Sequence, residues 1–126
     1  MVKNLLIVDD NASMRRLIRS VVEDLAESIH ERKDGSEALA AYEKHLPEWI
    51  LMDVEMKEKD GITATREIID LHPEANILIL TRYDSVLIRE RAMKAGASIF
   101  MLKENLLAIR EINLPSRAKG SIGPSK

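Results

Sequence analysis

The sequence predicts an α/β protein, a single domain built as a doubly wound parallel sheet with helices on both faces. Three observations carry that prediction. Four short apolar runs are bounded by polar residues, as in strands buried on both faces of a parallel sheet. The segments between them repeat apolar residues three and four apart, the spacing of helices with one buried stripe. Strand and helix patterns alternate about five times along 126 residues, a length that forms one domain with a genuine core.

The first run, Leu5-Leu6-Ile7-Val8, leads into Asp9-Asp10. The next helix carries Met14, Leu17, Ile18, Val21, Val22 and Leu25 on one side, with Asn11 or Ser13 as its cap. A weaker strand around Ser28 to Arg32 has Ile29 as its one strongly apolar residue and reads as an edge strand. After the turn signal Asp34-Gly35, a second helix covers Ser36 to His45. The run Trp49-Ile50-Leu51-Met52 leads into Asp53, and a third helix extends from Thr63 to Leu71, stopped by His72-Pro73. The run Ile77-Leu78-Ile79-Leu80 leads into Thr81, and a fourth helix covers Ser85 to Lys94 before the C-cap candidate Gly96. The last run, Ile99-Phe100-Met101-Leu102, leads into Lys103, and a short helix from Asn105 to Ile112 is ended by Pro115. The expected domain is 1–114, and the Pro-, Gly- and Ser-rich stretch 115–126 reads as a linker-like or disordered tail.

Composition narrows the function. With 45% hydrophobic and 32% charged residues the chain is an ordinary globular protein, and no apolar run has the length of a membrane span. Cysteine is absent, which removes disulfides, thiolate metal sites and cysteine nucleophiles. The first strand pattern begins almost at Met1, leaving no room for a signal peptide, so the expected location is cytoplasmic. Residues 1–114 hold 16 basic and 21 acidic groups, a balance that argues against nucleic-acid binding by the folded part.

Each of the four apolar runs ends in a residue able to handle a phosphoryl group. In open α/β sheets the site lies outside the carboxyl ends of the strands. Asp9, Asp10 and Asp53 would meet there, and three carboxylates that close call for a cation. Magnesium fits, because it accepts a few carboxylates together with water and phosphate oxygens. Asp53 stands alone at the end of its strand and is the better nucleophile, forming an aspartyl phosphate. Lys103 supplies a mobile point charge for a phosphoryl oxygen, and Thr81 offers a hydroxyl donor. Taken singly, each has a plainer reading as a cap, a turn or a solvated loop residue. Their joint placement at four strand ends is what gives the pattern weight.

The chain resembles the receiver domain of bacterial two-component response regulators over about residues 3–113. The resemblance rests on Val8-Asp9-Asp10-Asn11-Ala12-Ser13-Met14-Arg15-Arg16-Leu17, on Leu51-Met52-Asp53-Val54-Glu55-Met56 with Asp60-Gly61, and on Lys94-Ala95-Gly96-Ala97-Ser98 with Phe100 and Leu102-Lys103-Glu104. The first segment is similar to chemotaxis-type regulators, the last to the branch that carries helix-turn-helix output domains. The resemblance implies a flavodoxin-like (βα)5 fold with strand order 2-1-3-4-5. It also implies that Asp53 takes its phosphoryl group from the phosphohistidine of a sensor histidine kinase or phosphotransfer protein. Asp10, Asp53 and the backbone carbonyl of Glu55 would bind magnesium, with Asp9 supporting through water. Thr81 would move toward the phosphoryl group and Phe100 would turn inward. That switch remodels the face of the fourth helix, fifth strand and fifth helix, which controls an output domain or a partner protein, or forms a phosphorylation-dependent homodimer.

Departures from the family pattern are specific. Arg82 replaces the small residue that usually follows the threonine, and a slower loss of the phosphoryl group is the expected result. Glu55 and Tyr83 occupy positions that tune phosphoryl lifetime in the family. Lys57 stands where a proline is usual, and Glu104 replaces the proline after the lysine, so that turn is strained or rebuilt. Three other functions compete. A magnesium phosphohydrolase with Asp53 as nucleophile wants an Asp two residues later, where this chain has Glu55. A nucleotide binder wants a glycine-rich turn after the first strand. A pseudo-receiver that is never phosphorylated would act as a protein-binding scaffold. The leading expectation is a signalling switch whose only chemistry is self-catalysed phosphotransfer and dephosphorylation.

Overall fold

A computed structural model describes residues 2–112 and 114. Five strands form one parallel sheet: β1 Val2–Val8, β2 Ala26–Arg32, β3 Trp49–Asp53, β4 Ile77–Thr81 and β5 Ile99–Leu102, in the order β2-β1-β3-β4-β5. The helices are α1 Ala12–Val22, α2 Ala38–His45, α3 Gly61–Leu71, α4 Val86–Ala95 and α5 Ile109–Ile112. Strand order and alternation agree with the flavodoxin-like expectation, and β2 is an edge strand as its composition foretold.

The two faces of the sheet follow from strand periodicity. Leu5, Ile7, Trp49, Leu51, Leu78 and Leu80 meet Ile18, Val21 and Val22 of α1 and Ile109 of α5. Leu6, Val8, Ile50, Met52, Ile77 and Ile79 meet Tyr42 of α2, Ile68 of α3 and Ala92 of α4. Two cores therefore enclose the sheet, and the central strands have polar atoms to spare only at their ends.

Local chemistry sets the helix boundaries. Asn11 caps α1, its side-chain oxygen accepting the Met14 N–H at 2.8 Å. Asp60 caps α3, which begins at Gly61, two residues before the expected Thr63. Ser85 caps α4, so Thr81 is free of that duty. Gly96 ends α4 in the left-handed conformation, at φ 110°. The fifth helix departs most from expectation. A 3-10 stretch runs over Lys103–Ala108, with Asn105 off helical angles, and α-helix forms only over Ile109–Ile112. The tighter winding starts at Lys103 itself and includes Glu104. Similar 3-10 turns, Glu23–Leu25 and Gly35–Glu37, end α1 and precede α2. The expected tail, 115–126, lies outside the described residues. Among those that are described, no helix is long and apolar enough to cross a membrane.

Candidate functional site

The sheet aligns the run-ending residues. Val8 pairs with Met52, Asp53 with Leu80 and Thr81 with Leu102, so Asp9, Asp53, Thr81 and Lys103 emerge at one level from adjacent strands. They border a cavity of about 450 Å³ that also receives Asp10, Glu55, Arg82 and Tyr83. Every residue expected at the site lines this cavity except Phe100.

Three carboxylates crowd its floor. Asp9, Asp10 and Asp53 each place an oxygen within 4.8 Å of the others. Asp9 is 1% exposed and Asp53 7%, whereas Asp10 faces solvent. Because Asn11 caps α1, neither Asp9 nor Asp10 is spent as its cap. Asp9 Oδ1 instead accepts the Asn11 N–H at 2.9 Å. Asp9 Oδ2 has the Lys103 ammonium 2.8 Å away but receives no hydrogen bond of good geometry. Asp53 Oδ1 accepts the Val54 N–H at 2.9 Å and lies 3.1 Å from Lys103 Nζ. Burial pushes the Asp53 carboxyl up, the neighbouring Asp9 charge adds to this, and Lys103 opposes it, leaving the group at about 6. An all-oxygen donor set, with a buried Asp9 oxygen that lacks a hydrogen bond and an Asp53 charge disfavoured by burial, fits a hard divalent cation.

Backbone contacts explain how Asp53 is presented. The Gly61 N–H bonds the Val54 carbonyl at 2.7 Å, closing the loop between β3 and α3 at its base. A Cβ on Gly61 would lie 1.8 Å from the Asp53 backbone carbonyl oxygen, so only glycine allows α3 to begin this close to the end of β3.

Thr81 is buried and its Oγ1 accepts the Tyr83 N–H at 3.2 Å, which leaves the hydroxyl proton free. Arg82 and Tyr83 are exposed on the cavity rim. Phe100 is buried inward among the residues under α4, and the Arg89 guanidinium lies 4.7 Å from its ring centroid. Two features had no signal in the sequence. Arg15 donates to the Asp9 carbonyl at 2.6 Å and to Glu31 at 3.1 Å, bracing the strand end from α1. Asp34 bonds the loop after β3 from a distant turn.

Comparison with known proteins agrees with this geometry. The family described as the response regulator receiver domain matches residues 5–112. Chemotaxis protein CheY of Halobacterium salinarum is 36% identical over 103 residues, covering 82% of this chain and 86% of that protein. Transcriptional regulatory protein DegU of Brevibacillus brevis is 32% identical over 102 residues, which are 79% of this chain but 43% of the longer regulator. The crystal structure of a LuxR-family two-component response regulator from an Aurantimonas species superposes with a TM-score of 0.79 at 27% identity, over 97% of this chain and 99% of that one. The chain belongs to the receiver domains of two-component response regulators.

Proposed function

We propose that Asp53 is the phosphoacceptor, taking a phosphoryl group from the phosphohistidine of a sensor histidine kinase or phosphotransfer protein. The observation that carries this reading is the placement of Asp53. Its carboxylate is nearly buried at the cavity floor, 3.1 Å from the Lys103 ammonium and beside Asp9. An Asp53 oxygen forms the new P–O bond, the donor P–N bond breaks, and the released imidazole takes up a proton. Lys103 holds a phosphoryl oxygen, and the free proton of Thr81 bonds another. Asp10, Asp53 and the Glu55 carbonyl would hold magnesium, with Asp9 supporting through water. Bound there, the ion would offset the repulsion between anionic acceptor and anionic donor.

In the switch, Thr81 moves toward the phosphoryl group and Phe100, already buried, is kept inward. The changed surface is that of α4, β5 and α5, which acts on an output domain, on a partner protein or on a second copy in a phosphorylation-dependent dimer. The DegU relative's greater length favours an output domain for transcription regulation, beyond the linker-like 115–126. The acidic balance leaves nucleic-acid binding to such a domain, and the setting is cytoplasmic. The domain's own chemistry is limited to self-catalysed phosphotransfer and dephosphorylation. Arg82, Tyr83 and Glu55 at the rim set the lifetime of the acyl phosphate, with the Arg82 guanidinium slowing the approach of water.

The test is intact-mass measurement after incubation with acetyl phosphate. One added phosphoryl group that needs magnesium and is absent from Asp53→Asn is expected. No adduct on the parent protein from acetyl phosphate or from a cognate kinase would overturn the reading in favour of the unphosphorylated scaffold.

A further inference from the structure

A buried carboxylate outside the cavity is spent on the loop that shapes it. Asp34 is 9% exposed and its carboxylate accepts three backbone N–H groups. Ser36 donates at 2.8 Å, a local cap for the turn before α2. The other two donors are Glu58 at 3.0 Å and Lys59 at 3.1 Å, 24 and 25 residues away in the loop between β3 and α3. Burial raises the Asp34 carboxyl, but the hydrogen bonds from Glu58, Ser36 and Lys59 outweigh it and hold the group at about 2. It is therefore an anion at neutral pH.

The approach of the two segments is close. A Cβ on Gly35 would lie 2.3 Å from the Lys59 carbonyl oxygen. The loop is thus fastened twice, by Gly61 to Val54 at its base and by Asp34 at its far side. Between the two fastenings lie Glu55, Met56 and Lys57, the loop residues that line the cavity. A turn cap alone needs only the Ser36 bond. Two further bonds to a distant loop bring the desolvated charge to bear on the cavity wall, since hydrogen bonds to a buried carboxylate are strong and directional.

We infer that Asp34 is a positioning residue for phosphoryl transfer: by holding the Glu58 and Lys59 amides it sets where the 55–57 stretch, with the Glu55 carbonyl, meets the cation and the donor. This rests on the reading of the cavity as a magnesium and phosphoryl site.

The experiment compares the parent with Asp34→Ala, Asp34→Asn, Gly35→Ala and the control Glu37→Ala. Glu37 accepts the Lys33 N–H at 3.1 Å within the same connection and does not reach the loop. Magnesium affinity is measured by calorimetry, backbone exchange over 54–60 by hydrogen–deuterium mass spectrometry, and folding by thermal melts. Asp34→Ala and Gly35→Ala are expected to weaken magnesium binding about tenfold, the size typical for residues that orient a metal ligand. Both should speed exchange over 54–60, Asp34→Asn should fall between them and the parent, and Glu37→Ala should match the parent. Folded Asp34→Ala with parental magnesium affinity and parental exchange in the loop would overturn the inference, whatever its melting temperature. If Asp34→Ala does not fold, Asp34→Asn and Gly35→Ala decide on the same criterion. A parent that binds magnesium but is never phosphorylated would overturn the functional reading and, with it, the role of Asp34 in phosphoryl transfer. A parent that binds no magnesium overturns both.

Discussion

The ammonium of Lys103 lies 3.1 Å from a carboxylate oxygen of Asp53, although β4 separates their strands in the sheet. The same ammonium lies 2.8 Å from Asp9, so one buried cation serves two buried anions. Such an arrangement is poised for a second cation and for a phosphoryl group that brings its own oxygens. Four expected outcomes follow from it and from its surroundings.

Replacing Lys103 by Ala leaves two buried carboxylates without their cation. In metal-free buffer near neutral pH the variant should lose roughly 3 kcal/mol of stability, the usual size for breaking a buried pair from one side. Lys103 holds the Asp53 carboxyl down, so in the variant Asp53 takes up its proton above about 6, and the loss should shrink as pH falls toward that value. Urea unfolding at several pH values checks both statements.

Asp53 titrates at about 6, above its ordinary value of 3.8. An acid raised in the folded state favours folding while protonated, and that advantage is lost as pH rises from about 4 to 6. Asp53→Asn removes the charge, so without metal it should be more stable than the parent above pH 6, by about 1–3 kcal/mol. The two proteins should converge below pH 4, and magnesium should narrow the gap by stabilising only the parent. Paired denaturation curves with and without magnesium read this directly.

Arg82 is exposed on the cavity rim, and no ion pair or hydrogen bond ties its guanidinium to another described residue. Arg82→Ala should lose its phosphoryl group several times faster than the parent, followed by intact mass after the donor is removed. Equal rates would remove Arg82 from the account of phosphoryl lifetime.

Phe100 is buried beneath the Arg89 guanidinium at 4.7 Å. Arg89 is exposed, so the cation–ring contact is worth about 0.5–1 kcal/mol. Arg89→Ala should lower stability by that amount and Arg89→Lys should restore part of it, whereas a Phe100→Leu background should abolish the difference. A double-mutant cycle in urea measures the coupling.

The elements that were legible in the sequence are those whose cause is local. The runs at Leu5, Trp49, Ile77 and Ile99 read as strands because parallel strands bury both faces, and Asp9, Asp53, Thr81 and Lys103 stood out because they end those runs. Ile29 marked an edge strand because its neighbours are polar. What escaped the sequence depends on partners far along the chain. Asp34 read as a turn residue, and its bonds to Glu58 and Lys59 span 24 and 25 positions. His30 and His45 stack their rings at 3.6 Å between β2 and α2, a contact that joins residues 15 positions apart. The 3-10 stretch after Lys103 was expected as α-helix, since Leu106 and Ile109 carry a helical spacing that both geometries satisfy.

The most direct test of the central claim is to treat the protein with acetyl phosphate and magnesium, reduce it with borohydride and sequence the peptides by mass spectrometry. Reduction converts an acyl phosphate to an alcohol, so an aspartyl phosphate is read as homoserine at the position that carried it. Homoserine at Asp53, with Asp9 and Asp10 unmodified, is the predicted result. Homoserine at Asp9 or Asp10 instead, or at none of the three, would contradict Asp53 as the acceptor.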